Sequence, residues 1–130
     1  MRIVIVGAGV AGCVMARTLS RLQGVEVICL ERVQRDDHSE AGTGLNVGPN
    51  AVKALTSVDP ELAGLITQAS FPWHHWRVSL TDGTVLFDLP LTDVADNPGW
   101  RIRWSGLYHV LREAAATSVL YGCDITGIGR

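Results

Sequence analysis

The sequence predicts an α/β fold: a parallel βαβ unit at the N-terminus, interrupted further along by an antiparallel hairpin. Three observations carry this. The apolar run Ile3-Val4-Ile5-Val6 leads into Gly7-Ala8-Gly9-Val10-Ala11-Gly12 and a helix-like stretch ending near Leu22. A second apolar run, residues 25–30, ends at the acidic Glu31. Two later runs rich in apolar and β-branched residues, 76–80 and 85–89, flank Thr81-Asp82-Gly83-Thr84.

The first two observations give the order strand, glycine turn, helix, strand, acid. That order, within about 30 residues, is what a Rossmann-like dinucleotide-binding unit requires. Gly7 permits the tight turn, Gly9 lets the backbone approach a pyrophosphate, and Gly12 lets the helix pack on the strand. Ala8, Val10 and Ala11 complete the loop. The N–H groups at the helix start then face the phosphates, and the helix dipole favours their charge. Glu31 lies 24 positions after Gly7, where its carboxylate can accept from ribose hydroxyls. Met1-Arg2 and the apolar stretch through Ala16 imitate a secretory leader, with Val10-Ala11-Gly12-Cys13 as its cleavage box. The charged region is one residue long, and cleavage at Cys13 would discard the whole phosphate turn.

Residues 36–44 are polar and glycine-containing and read as a loop. Pro49 suits the first turn of a short helix beginning near Ala51, because its missing N–H has no partner there. Asp59-Pro60 predicts a second short helix to about Gln68, with Asp59 as N-cap. Asp82-Gly83 between two strands predicts a hairpin with a type I′ turn. Residues 90–99 read as loop. Ser105 is the expected cap of a helix whose apolar positions Leu107, Val110, Leu111, Ala114 and Ala115 follow the helical period. Residues 118–121 and 125–128 read as two short strands. The resulting division is 1–70 for the βαβ part, 71–104 for an antiparallel insertion and 105–130 for a return to the first part.

At 47% hydrophobic and 18% charged, the chain can bury a core. A net charge of −2 without a basic block points away from nucleic acid and anionic membrane as partners. No apolar run reaches the length of a membrane span. Three widely spaced cysteines, Cys13, Cys29 and Cys123, fit neither a disulfide framework nor a zinc site. They suggest a reducing, cytoplasmic setting. Cys13 reads as a small packing residue, although a helix start can lower a thiol pKa. Trp73-His74-His75-Trp76 invites a metal reading, but adjacent histidines on a strand point to opposite faces. No metal is expected.

The chain resembles the N-terminal part of the class A flavin-dependent aromatic hydroxylases, of the salicylate, 4-hydroxybenzoate and hydroxypyridine hydroxylase type. The residues that carry the resemblance are the glycine turn with Glu31-Arg32, the segment Gly42-Thr43-Gly44-Leu45-Asn46-Val47-Gly48-Pro49-Asn50, and Leu107 and Leu111 in a helix after the hairpin. The second is similar to a family segment that runs beside the flavin ring. The family usually carries Arg three residues before the position of Leu107; Trp104 stands there, with Arg103 and Arg101 nearby. Arg103 is the candidate replacement, with a solvated or ion-paired arginine as the alternative.

The resemblance implies FAD as cofactor, NADH or NADPH as co-substrate, and hydroxylation of a small aromatic substrate with O₂. It assigns Gly7, Gly9 and Gly12 to the pyrophosphate and Glu31 to the adenosine ribose. Arg32 goes to the adenine or phosphate region, and Gly44, Leu45, Asn46 and Val47 to the flavin ring. It names no catalytic base. Family members are about twice this length or more, so the resemblance also implies a truncated chain. The first strand, central in a doubly wound sheet, would then have an open edge able to pair with a second copy. Two other readings use the same glycine turn. One is a different FAD- or NAD-dependent oxidoreductase; the other is a nucleotide-binding module without activity.

Overall fold

The computed structural model describes residues 1–35 and 43–129. Most of the loop read at 36–44 therefore lies outside the described residues, as does Gly42. The chain divides into two compact units, Met1–Ala41 with Ser105–Arg130, and Gly42–Trp104.

The first unit is built on a parallel sheet. Strand β1 (Arg2–Val6) pairs with β2 (Glu26–Leu30), which pairs with β8 (Val119–Leu120). The register sets Ile3 beside Val27, Ile5 beside Cys29, and Cys29 beside Val119. Helix α1 (Val10–Ser20) crosses between β1 and β2, as a parallel pair demands. It buries the small face Gly12, Cys13 and Ala16, so the helix can lie close to the strands. Helix α4 (Trp104–Ala114) adds Leu107 and Leu111 to the core, joined by Ala115 and Val119. Arg17 Nη1 donates to the Ala114 carbonyl at 3.1 Å, tying α1 to the last turn of α4. Among the described residues β1 has β2 as its one strand neighbour, and Val4 and Val6 are 54% and 63% exposed.

The second unit holds an antiparallel sheet in the order β3 (Gly44–Val47), β7 (Gly99–Arg103), β4 (Phe71–Trp73). Helices α2 (Pro49–Val58) and α3 (Pro60–Gln68) pack together beside it. Pro49 and Pro60 occupy first turns, and Asp59 Oδ1 accepts the Leu62 N–H at 3.0 Å, as the sequence predicts for an N-cap. Strands β5 (His75–Ser79) and β6 (Val85–Pro90) form the hairpin.

Three local expectations are corrected. The hairpin turn is not type I′: among the described residues no non-glycine has positive φ, and Gly83 alone in the turn does, at 91°. Gly83 N–H donates to the Leu80 carbonyl at 3.0 Å, and Leu80 N–H to the Thr84 carbonyl at 2.8 Å. The loop therefore has three residues, a type I turn closed by a left-handed glycine. Asp82 keeps negative φ because its carboxylate takes the Thr84 N–H at 2.9 Å. Ser105 does not cap α4, which begins one residue earlier, with Trp104 N–H on the Thr43 carbonyl at 2.9 Å. Residues 125–128 are not a strand. They lack a partner strand, and apolar pairs alone do not make one. The strands β3, β4 and β7 were not anticipated, although Trp100 in, Arg101 out, Ile102 in, Arg103 out is the period of a half-buried strand.

Candidate functional site

The glycine turn opens a cleft of about 400 Å³ in the first unit. Gly7, Ala8 and Gly9 line it from the turn, Glu31, Arg32 and Val33 from the end of β2. Tyr108 and Arg112 line it from α4, and Cys123, Asp124 and Ile125 from the segment after β8.

Each glycine is held by a different constraint. Gly7 has φ of 94°, a conformation open to glycine and costly for other residues. Its N–H donates to the Leu30 carbonyl at 2.8 Å, which fixes the turn to the end of β2. A Cβ built on Gly12 would run into the Gly7 carbonyl, so the helix can pass behind the turn only without a side chain there. A Cβ on Gly9 would meet nothing nearer than the Tyr108 hydroxyl, at 3.7 Å. Gly9 is thus bare toward open space, and that space is the cleft.

Gly9 is the N-cap of α1 and brings no side chain to cap it. The first-turn N–H groups of a helix have no intrahelical partners, and an anion is a natural acceptor for them. Val10 and Ala11 are exposed at this end, whereas Ala8 is fully buried. Glu31, nearly buried, reaches under the turn. Its Oε2 accepts the Ala8 N–H at 2.6 Å and its Oε1 the Val33 N–H at 3.0 Å. A carboxylate has about four acceptor positions, so these bonds leave capacity for a ribose hydroxyl. Arg32 is exposed at the rim.

The cysteines sit behind this wall. Cys13 Sγ donates to the Ala8 carbonyl at 3.2 Å. Burial pushes the Cys13 thiol up to about 12, with the neighbouring Cys29 adding to the shift, and burial raises Cys29 as well. Desolvation is the largest cause of the shift, and Cys13 is a packing residue.

The remaining predicted residues lie in the second unit. Gly44, Leu45, Asn46 and Val47 form the edge strand β3. Gly44 pairs with Arg103 and Asn46 with Arg101, while Leu45 and Val47 face Ile102 and Trp100 on the buried side. Arg103 and Asn46 thus share one exposed face with Arg101. The same unit has a cleft of about 640 Å³ between the start of α2 and the hairpin, walled by Trp73, Trp76, Leu89 and Leu91. Trp73 and Trp76 are 6.1 Å apart, and Trp76 meets Phe87 edge-on at 5.6 Å. His75 Nδ1 lies 3.1 Å from Asp88 Oδ1, and Arg77 and His75 hold the Asp88 carboxyl below its ordinary range. His74 falls between β4 and β5 rather than within a strand. Among the described residues no group of three or more His, Cys, Asp or Glu could hold a metal ion.

Sequence reasoning found the turn and the acid but gave Tyr108 and Arg112 no place in the cleft, because α4 joins the unit from 70 or more residues away. The sequence pattern of the pyridine nucleotide-disulphide oxidoreductase family matches residues 1–92. The chain belongs to that family. Among curated proteins of this kind it is 39% identical over 98 residues to the 6-hydroxynicotinate 3-monooxygenase of Pseudomonas fluorescens, covering 72% of this chain and 23% of the relative. It is 43% identical over 58 residues to the 3-hydroxybenzoate 6-hydroxylase of Klebsiella oxytoca, covering 45% and 14%. The chain therefore spans under a quarter of these relatives' lengths. The fold matches that of CtdE, solved with FAD and a substrate, at a TM-score of 0.76 and 20% identity, covering 97% of this chain and 31% of that one.

Proposed function

We propose that this chain is the FAD-binding portion of a flavin-dependent monooxygenase. The enzyme hydroxylates a small aromatic ring of the phenol or hydroxypyridine type, using NADH or NADPH and O₂. The observation that carries the reading is the 98-residue match to 6-hydroxynicotinate 3-monooxygenase. The site's chemistry supports FAD: a bare Gly9 beside the cleft, an uncapped helix start, and a carboxylate at the end of β2.

In this reading Gly7, Gly9 and Gly12 shape the seat of the diphosphate, with Ala8, Val10 and Ala11 carrying its backbone. Glu31 holds the adenosine ribose while bracing the turn, and Arg32 covers the adenine side. Gly44, Leu45, Asn46 and Val47 border the flavin ring, and Arg103, opposite Gly44, offers a guanidinium on the same face. The flavin supplies hydride acceptance and oxygen activation; the chain supplies position and electrostatics. Dithiol chemistry finds no support, since the thiols of Cys13 and Cys29 are buried and raised in pKa. Among the described residues no helix is long and apolar enough to cross a membrane. A cytoplasmic location and pairing of β1 with a second copy belong to the same proposal.

The test is equilibrium titration of the chain with FAD and, separately, with NAD⁺. A weak, saturable complex with FAD and none of comparable strength with NAD⁺ is expected. A preference for NAD⁺, or no complex with FAD, overturns the assignment.

A further inference from the structure

We infer that Arg112, seated on the ring of Tyr108, is the cation that binds the diphosphate in the cleft of the first unit. The inference rests on the FAD reading and extends it to a residue that no motif marks. A diphosphate brings negative charge that must be matched once water is displaced. The glycine turn supplies only dipoles: the first turn of α1 is Val10, Ala11, Gly12 and Cys13, with no cation among them. The fixed charge at the turn is the anion Glu31, 2.6 Å from Ala8 N, and Asp124 is a second acid in the lining. Arg32 and Arg112 are the lining residues able to offset them.

These two arginines are not equivalent. Arg32 is exposed. Arg112 is half-buried, and its Nε is buried with no hydrogen-bond partner. The Nε is shut off from the cleft, so an anion there meets the part of the guanidinium that lines it, and a partly desolvated cation gains from such a neighbour. Its Cζ lies 4.8 Å from the centroid of the Tyr108 ring. That stacking orients the guanidinium without consuming its fork of donors, which matches phosphate oxygens two at a time. Tyr108 and Arg112 are four residues apart on α4 and so share one face. The Tyr108 hydroxyl, 3.7 Å from the position of a Cβ on Gly9, turns that face toward the glycine turn.

Binding of FAD, ADP and adenosine to the full chain and to R112Q and R112K tests this. R112Q is expected to lose about tenfold or more in affinity for FAD and ADP, the scale of one charged hydrogen bond, with adenosine unchanged. Its ADP affinity is also expected to fall less steeply with salt than that of the native chain. Unaltered ADP affinity in R112Q, or an equal loss for adenosine, overturns the inference while leaving the FAD reading intact. If circular dichroism shows R112Q unfolded, R112K decides: a loss of about threefold on ADP alone is expected for a point charge without the fork, and native affinity overturns the assignment. Failure of the native chain to bind FAD or ADP sinks the FAD reading, and this inference with it.

Discussion

The carboxylate of Glu31, at the end of β2, accepts the Ala8 N–H at 2.6 Å, so the acid expected at a ribose also braces the glycine turn from beneath. Its other oxygen takes the Val33 N–H at 3.0 Å. One nearly buried side chain therefore fixes both the turn after β1 and the exit from β2. The two roles are compatible, because an ionised carboxylate can accept more bonds than these two donors supply.

Glu31→Gln separates the bracing role from packing. The amide keeps the shape but has one acceptor oxygen, so either Ala8 or Val33 loses its partner. An unsatisfied buried N–H costs about 1–3 kcal/mol. Chemical denaturation is expected to show a loss of that size, with weakened FAD binding beside it. A variant as stable as the native chain would refute the bracing role.

Gly12 and Gly9 are expected to fail in different ways. Gly12→Ala forces a Cβ into the Gly7 carbonyl, and overpacking of this kind costs about 1–3 kcal/mol or more. It should lower the melting temperature. Gly9→Val instead places its Cβ at ordinary contact distance from the Tyr108 hydroxyl, at the cleft, so the fold should survive while the FAD complex is abolished. Thermal melts and FAD titrations on both variants check this. Equal FAD affinity in Gly9→Val would argue that the diphosphate does not lie against that glycine.

What the sequence made legible follows from how far each signal reaches along the chain. The glycine turn and Glu31 are 24 positions apart inside one βαβ unit, and their spacing alone predicts their meeting. Asp59 and Pro60 announce α3 locally, because cap chemistry involves only the next few N–H groups. The hairpin was legible but its turn was not: Asp-Gly suits two turn types, and the Asp82 bond to Thr84 decides between them. The sheet β3-β7-β4 depends on pairing Gly44–Val47 with Gly99–Arg103, more than fifty residues away. Such long-range pairing leaves no local sign beyond alternation. Arg112 is hidden for the same reason, since only the packing of α4 brings it to the turn.

The three thiols are expected to react in sequence. Cys123 is half-buried, while Cys13 and Cys29 are 1% and 0% exposed. One fast equivalent with a thiol reagent near pH 8, followed by two that appear only on unfolding, is the expected pattern. The pH dependence has a definite sign. The folded chain holds the Cys13 proton up to about 12, against 9.0 for the free group. Stability from this source is intact below 9.0 and declines as pH rises through that interval, because the unfolded chain loses its proton first. Denaturation between pH 8 and 11 should show the decline, and Cys13→Ala should flatten it. A native chain equally stable at both ends would contradict the burial of the thiol.

The exposed edge of β1 is expected to make the chain associate with itself. Among the described residues this strand is hydrogen-bonded on one side, and its outward Val4 is 54% exposed. An apolar strand with free N–H and C=O groups is a template for another copy of itself. Sedimentation velocity should show species heavier than the 14.0 kDa monomer, increasing with concentration. Val4→Lys places a charge on the edge strand without altering Val6, which lines the cleft, so FAD binding is expected to persist while association falls. Association unchanged by the lysine would move the contact elsewhere on the surface, and a native chain monomeric at every concentration would remove it altogether.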